Sequence, residues 1–359
     1  MTHEEVFVFN KHIPTVPLAE PFVIAAVGLA HGHIGGMVKN LVNAGATLKY
    51  IYDDDASLME KYKKMFPAAI IAASYDEILE DGAVHLIASA AIPSERAGIA
   101  IRAMDAGKDA FLDKAPVISL EQLSAVKDAA ERNDRKLFVC YSEYVSVEAA
   151  VYAKQLIDRG IIGDVFHIDI VAPHNLSPET RPAWFFEREK VGGIITDIGS
   201  HQLQQFLEFS GADDAVINSA RVANYFNKEW AENGDFDDFG DLTVTASNGV
   251  TGYIRIDWQS PKGIATWGDV RAIILGSRGY IELRKNCNIG CEKVTNTVYV
   301  CTADGVYTES VSGKVGLPYF TRLIADCQNR TETAMSMHQT YKAIELAIKA
   351  QMMASEASR

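Results

Sequence analysis

Phe22-Val-Ile-Ala-Ala-Val27 is an unbroken apolar run. Such a run fits a short strand buried on both faces, the environment of a parallel sheet. Behind it, Ile34, Met37, Val38 and Leu41 recur at the spacing of one helix face, and Ala44-Gly45 ends the stretch. The alternation continues with strands expected at 48–52, 69–72, 84–88, 109–113 and 136–140. Between them, helices are expected at 56–65, 75–79, 95–106 and 120–133. Alternating strands and helices imply right-handed crossovers and a parallel sheet.

Beyond residue 141 the rhythm changes. A helix at 145–159, a strand at 165–171 and a helix at 199–209 lead into strand-like runs at 216–226, 241–247, 250–257, 270–275, 279–284 and 296–301. Few helices interrupt these runs, so a mainly antiparallel sheet is expected. Helices at about 317–328 and 334–355 close the chain. The fold class is therefore α/β, a doubly wound Rossmann-type parallel sheet followed by an α+β part with an open, mainly antiparallel sheet. The expected division is an N-terminal arm over 1–20, broken by Pro14 and Pro17, a dinucleotide-binding domain over 21–141, and a substrate and oligomerisation domain over 142–359.

Composition narrows the function. A net charge of −13 disfavours nucleic acid and anionic membrane surfaces as partners. No apolar run approaches the roughly 20 residues that span a bilayer, and the acidic N-terminus does not read as a signal peptide. Five scattered cysteines suit reduced thiols and a cytoplasmic location. Cys287 and Cys291 lack a second pair to complete a zinc site. The segment Asp235-Phe-Asp-Asp-Phe-Gly240 has Phe239 and Ala246 where a calcium loop needs ligands, so it reads as a solvated acidic loop.

Gly28-Leu-Ala30-His-Gly-His33 lies between the first strand and the first helix. It occupies the place of the glycine-rich turn in which amides at a helix start meet a pyrophosphate. Gly28 keeps a glycine, Ala30 is small, and His33 replaces the last glycine. Asp53 ends the second strand, where a carboxylate hydrogen-bonds the adenosine ribose and repels a 2′-phosphate. No basic residue follows until Lys61, which favours NAD over NADP. The competing reading of Asp53 is a cap on the second helix.

With Gly28 to Ile34, Asp53, Gly107-Lys-Asp-Ala-Phe-Leu-Asp-Lys114 and Asp197-Ile-Gly-Ser-His201, the chain resembles the Gfo/Idh/MocA oxidoreductases over about 21–355. The resemblance implies cofactor contacts from Gly28, Ala30, His31, His33, Ile34, Asp53 and Lys114. It also implies a lysine beside nicotinamide and substrate at Lys114, an aspartate at Asp197 and a general base at His201. The residues fit that chemistry. Histidine titrates near working pH, a spacing of four puts Asp197 and His201 on one helix face, and Lys114 would polarise the substrate oxygen. Where the family has Glu-Lys-Pro this chain has Asp-Lys-Ala-Pro, so an X-Pro bond would join Ala115 to Pro116.

Tyr144, His174, Arg181 and Trp184 are the substrate-side candidates, with Trp267 in a later loop. No metal is expected, although His174, Asp197 and His201 could hold one. The expected activity is reversible NAD-dependent oxidation of a secondary hydroxyl on a sugar, cyclitol or related polyol. An NAD-dependent glycosidase and a catalytically silent cofactor sensor are the alternatives. By the same resemblance, a homodimer or homotetramer is expected.

Overall fold

The computed structural model describes residues 1–9, 21–230, 236–264, 266–290 and 295–357. The first half builds a sheet from β1 (Phe22–Val27), β2 (Ala46–Tyr52), β3 (Ile70–Ile71), β4 (Leu86–Ser89), β5 (Asp109–Asp113) and β6 (Leu137–Cys140). Its order is β3-β2-β1-β4-β5-β6 and every pair is parallel. The order reverses between β1 and β4, which opens a crevice beyond the carboxyl ends of the strands, where such sheets bind ligands. Side-chain caps start the crossover helices: Asp55 for Ala56–Met65, Ser74 for Tyr75–Glu80 and Ser119 for Leu120–Asn133. Pro93 opens the helix Pro93–Asp105, where its missing amide costs nothing.

The second sheet comprises β7 (Val165–Pro173), β8 (Ala215–Ala223), β9 (Phe239–Ala246), β10 (Thr251–Asp257), β11 (Arg271–Gly276), β12 (Gly279–Arg284), β13 (Thr297–Thr302) and β14 (Gly305–Ser310). Its order is β14-β13-β12-β11-β7-β10-β9-β8. It is antiparallel except where β10 runs parallel to β7. β9 alternates buried and half-buried residues, as expected when one face packs on helices. The helices Ser200–Ser210 and Met337–Ala357 cover that face.

Several features depart from the sequence pattern. The first nine residues are not a loose arm: Val6 and Phe7 are buried, the Phe7 ring stacks 5.8 Å from Tyr152, and Tyr152 Oη donates to the Val6 carbonyl at 3.1 Å. Residues 10–20 of the expected arm lie outside the described residues. The helix expected over 145–159 breaks into Ser142–Val145 and Glu148–Asp158, with Val147 extended between them. Glu148 then accepts the amides of Gly313, Val315 and Gly316, which ties the second piece to a distant loop. Last, β14 was not foreseen; it is an edge strand with polar residues and an exposed Val306, so it lacks a strong apolar alternation.

The acidic segment near residue 237 is also not solvated. Asp238 is fully buried and accepts the amides of Tyr225 and Phe226, while Asp237 pairs with Arg188 at 2.9 Å. Asp235 and Cys291 lie outside the described residues, so the loop and the cysteine pair are seen only in part.

Candidate active site

At the end of β1 the chain turns through Gly28 with φ of +71°. A Cβ there would lie 2.6 Å from the Ala91 Cβ, so only glycine fits. Asp53, at the end of β2, accepts the Leu29 amide at 2.6 Å and the Asp55 amide at 2.9 Å. The helix cap is Asp55, which leaves Asp53 half-exposed beside the glycine turn. This turn, at the point where strand order reverses and with a carboxylate on its flank, fits a dinucleotide. Ala30 lies in the turn. Ile34 is 1% exposed and belongs to the core; its amide donates to the His31 carbonyl at 3.3 Å, so it braces the turn from behind.

His33 begins the helix His33–Asn43 and takes a place that glycine fills in the usual turn. Its Nδ1 lies 3.0 Å from Asp113 Oδ1, and His31 Nδ1 lies 3.4 Å from Asp113 Oδ2. Arg96, fully buried, completes the cluster at 3.2 Å from Asp113 and also donates to the carbonyls of Ala91, Lys114 and Ala115. Burial alone would raise the Asp113 carboxyl, but His33 and Arg96 hold it well below the usual range. Burial, helped by His33, lowers His31 well below its ordinary value. Among the described residues, His31, His33 and Asp113 are the one group with metal-ligand spacing; His174, Asp197 and His201 do not form one. Since Arg96 already answers the Asp113 carboxylate, we assign no metal there.

Lys114 follows β5, and the cis peptide joins Lys114 to Ala115 rather than Ala115 to Pro116. Its Nζ donates to Asp197 Oδ1 at 2.7 Å, with both side chains almost fully buried. Asp197 sits in a π-helical turn, Ile195–Gly199, that runs into the helix Ser200–Ser210. Gly192 and Gly193 set up this turn with φ of +88° and +92°. A Cβ on Gly193 would lie 2.4 Å from the Gln351 carboxamide, whose oxygen accepts the Ile195 amide at 2.9 Å. The C-terminal helix thereby aims Asp197 at Lys114.

His201 lies one turn beyond Asp197 and lines the same cleft, which holds about 1000 Å³ including its open mouth. Its charge partner is not Asp197, which Lys114 occupies, but Glu143. Burial drives His201 down to about 3, with Glu143 opposing and Lys114 adding to the fall. Burial likewise disfavours the Glu143 carboxylate, but His201, His174 and Lys285 bring it down to about 2. Glu143 Oε2 accepts Gln202 Nε2 at 2.6 Å, and His174 Nε2 lies 3.3 Å from Oε1. Lys285, fully buried and 3.9 Å from Glu143, is lowered to about 8 by burial. The imidazole of His201 is thus neutral at pH 7, and its buried Nδ1 has no hydrogen-bond partner among the described residues.

Of the substrate-side candidates, His174, Arg181 and Trp267 line the cleft. Trp184 stands outside that lining, its ring 6.4 Å from His31. Tyr144 turns away and donates to Glu208 at 2.9 Å. Glu143, one residue earlier, is the group that enters the site. Its signal in the sequence was a carboxylate just beyond the carboxyl end of β6, where the crevice of such a sheet lies.

A model described as oxidoreductase family, NAD-binding Rossmann fold matches residues 22–141, and a model of the GFO/IDH/MocA C-terminal domain matches residues 150–282. A crystal structure of a protein described as an oxidoreductase, from Erwinia carotovora atroseptica SCRI1043, is 40% identical over 93% of this chain and 98% of its own, with a TM-score of 0.90. A levoglucosan dehydrogenase solved with NADH and levoglucosan shares the fold at 17% identity, covering 95% of this chain and 97% of that one, with a TM-score of 0.76. The NAD(+) scyllo-inositol 2-dehydrogenase of Bacillus subtilis (strain 168) is 26% identical over 249 residues, 68% of each chain. The chain spans 62 to 64% of the length of the first curated relatives it matches.

Proposed function

This chain belongs to the GFO/IDH/MocA oxidoreductases, and we propose that it reversibly oxidises a secondary hydroxyl of a sugar, cyclitol or related polyol. The observation that carries this reading is the 2.7 Å contact between Lys114 and Asp197 in a cleft that His201 also lines. NAD, when bound, supplies the hydride acceptor. NAD is preferred to NADP in this reading because Asp53 would repel a 2′-phosphate.

His201 is unprotonated at pH 7 and placed to take the hydroxyl proton; burial keeps its proton affinity below that of a base poised near working pH, and the Glu143 carboxylate offsets this. The imidazolium that forms lies in the field of Glu143, whose carboxylate is ionised. Lys114 places positive charge where the substrate oxygen becomes alkoxide-like, and Asp197 holds the ammonium in position. The burial of all four groups strengthens these interactions by excluding water. The exposed face of the second sheet, with Val216, Ile273 and Tyr280 outward, supports a homodimer or homotetramer in the same reading.

Nicotinamide fluorescence on mixing protein and NAD with polyols, aldonates and nitrophenyl glycosides tests the proposal. Release of NADH with a polyol or its acid supports it. Glycoside cleavage without net reduction points to the glycosidase chemistry, and NAD binding with neither reaction points to a sensor.

A further inference from the structure

The charged groups lining the cleft answer one another, with one exception. Lys114 faces Asp197, His174 faces Glu143, and His31 and His33 face Asp113. Arg181 also lines the cleft but makes no ion pair among the described residues. Its Nε donates to the Leu176 carbonyl at 2.9 Å, which fixes the base of the guanidinium. The planar head lies over the Phe185 ring at 4.5 Å and near the Trp258 ring at 5.4 Å. Stacking of this kind holds an arginine rigid while its terminal nitrogens keep their donors. Burial works against its charge, and Asp197 offsets this from a distance.

A half-buried guanidinium with unused donors is a site for a planar, bidentate anion. A neutral polyol would occupy the donors and leave the charge unanswered. The overall charge of −13 does not cancel this local field, because exposed charges are screened beyond about 8–10 Å.

We infer that Arg181 receives a carboxylate, so that the substrate is a polyhydroxy acid of the aldonate or uronate class. Its carboxylate lies at Arg181 and its reacting hydroxyl at Lys114 and His201. This rests on the cleft being the substrate site of the proposed dehydrogenase. Arg181 binds and orients; it takes no part in the oxidation.

Calorimetry on the protein–NADH complex tests it, with D-gluconate against D-glucitol and D-glucuronate against D-glucose. These pairs isolate the carboxylate. At least one acid binds about tenfold or more tightly than its neutral counterpart. Arg181→Met removes that preference and Arg181→Lys keeps part of it. Equal affinities within both pairs, no measurable binding of either acid, or a preference that survives in Arg181→Met overturns the inference. NAD reduction by the same four compounds is read separately. A binding preference without reduction by any of them leaves the Arg181 inference standing and counts against the dehydrogenase reading.

Discussion

Lys114 Nζ and Asp197 Oδ1 lie 2.7 Å apart although the first follows a strand of the parallel sheet and the second precedes a helix packed on the other sheet. Each is about 6% exposed, so each charge depends on the other. Asp197→Asn leaves the ammonium buried without its partner, at a cost of about 3–5 kcal/mol. Adding Lys114→Met recovers part of that loss in urea unfolding. Strictly additive losses in the double variant contradict the coupling.

The pH dependence of stability follows from His201. Its value falls from about 6.5 in the unfolded chain to about 3 in the folded one. As the pH drops through that window the unfolded chain takes up a proton that the native site refuses, so stability is lost on acidification. Glu143, depressed to about 2, acts in the same direction but only below its unfolded value of about 4.3. Between pH 6.5 and 4.5, His201→Gln therefore flattens the stability profile relative to the native chain. A parallel profile refutes the buried neutral imidazole.

Glu143→Gln removes the carboxylate that favours the protonated form of His201. Turnover falls by at least about tenfold, while NADH affinity, read from nicotinamide fluorescence, stays within about twofold. Loss of NADH affinity in proportion to turnover assigns Glu143 to the scaffold alone.

Asp53→Ala takes away the carboxylate beside the glycine turn. The NAD-to-NADP ratio of kcat/KM falls by about tenfold or more. An unchanged ratio places cofactor choice elsewhere.

Gly193→Ala forces a side chain into a positive φ of 92° and against Gln351. The variant loses about 2 kcal/mol or more of stability. Gln351→Ala relieves the contact but leaves the Ile195 amide without its acceptor and the backbone strain in place, so it does not rescue Gly193→Ala. Full stability of Gly193→Ala contradicts the close approach.

The alternation of apolar runs made the parallel sheet legible because its central strands are buried on both faces. The lysine and the Asp-x-x-x-His pattern were legible because their chemistry is carried by residue type and short spacing. Glu143 was obscured by its neighbour Tyr144, since a residue at the end of a strand faces the crevice or leaves it according to a turn that only packing decides. Arg96 lies on a helix whose sequence gives no sign of its burial, yet it is fully buried against Asp113 and the Lys114 and Ala115 carbonyls. Lys285 follows β12, an interior strand of the second sheet, and meets Glu143 only through the folded structure. These contacts join residues far apart in the chain, and local pattern holds no record of them.

His201→Ala is compared with the native chain, using the best substrate from the polyol and acid panel. Turnover and NADH affinity are measured on the same preparations. The geometry of Lys114, Asp197 and His201 predicts a fall in kcat of about 100-fold or more with NADH affinity held within about twofold. An equal fall in both, or unchanged turnover, contradicts His201 as the group that takes the proton.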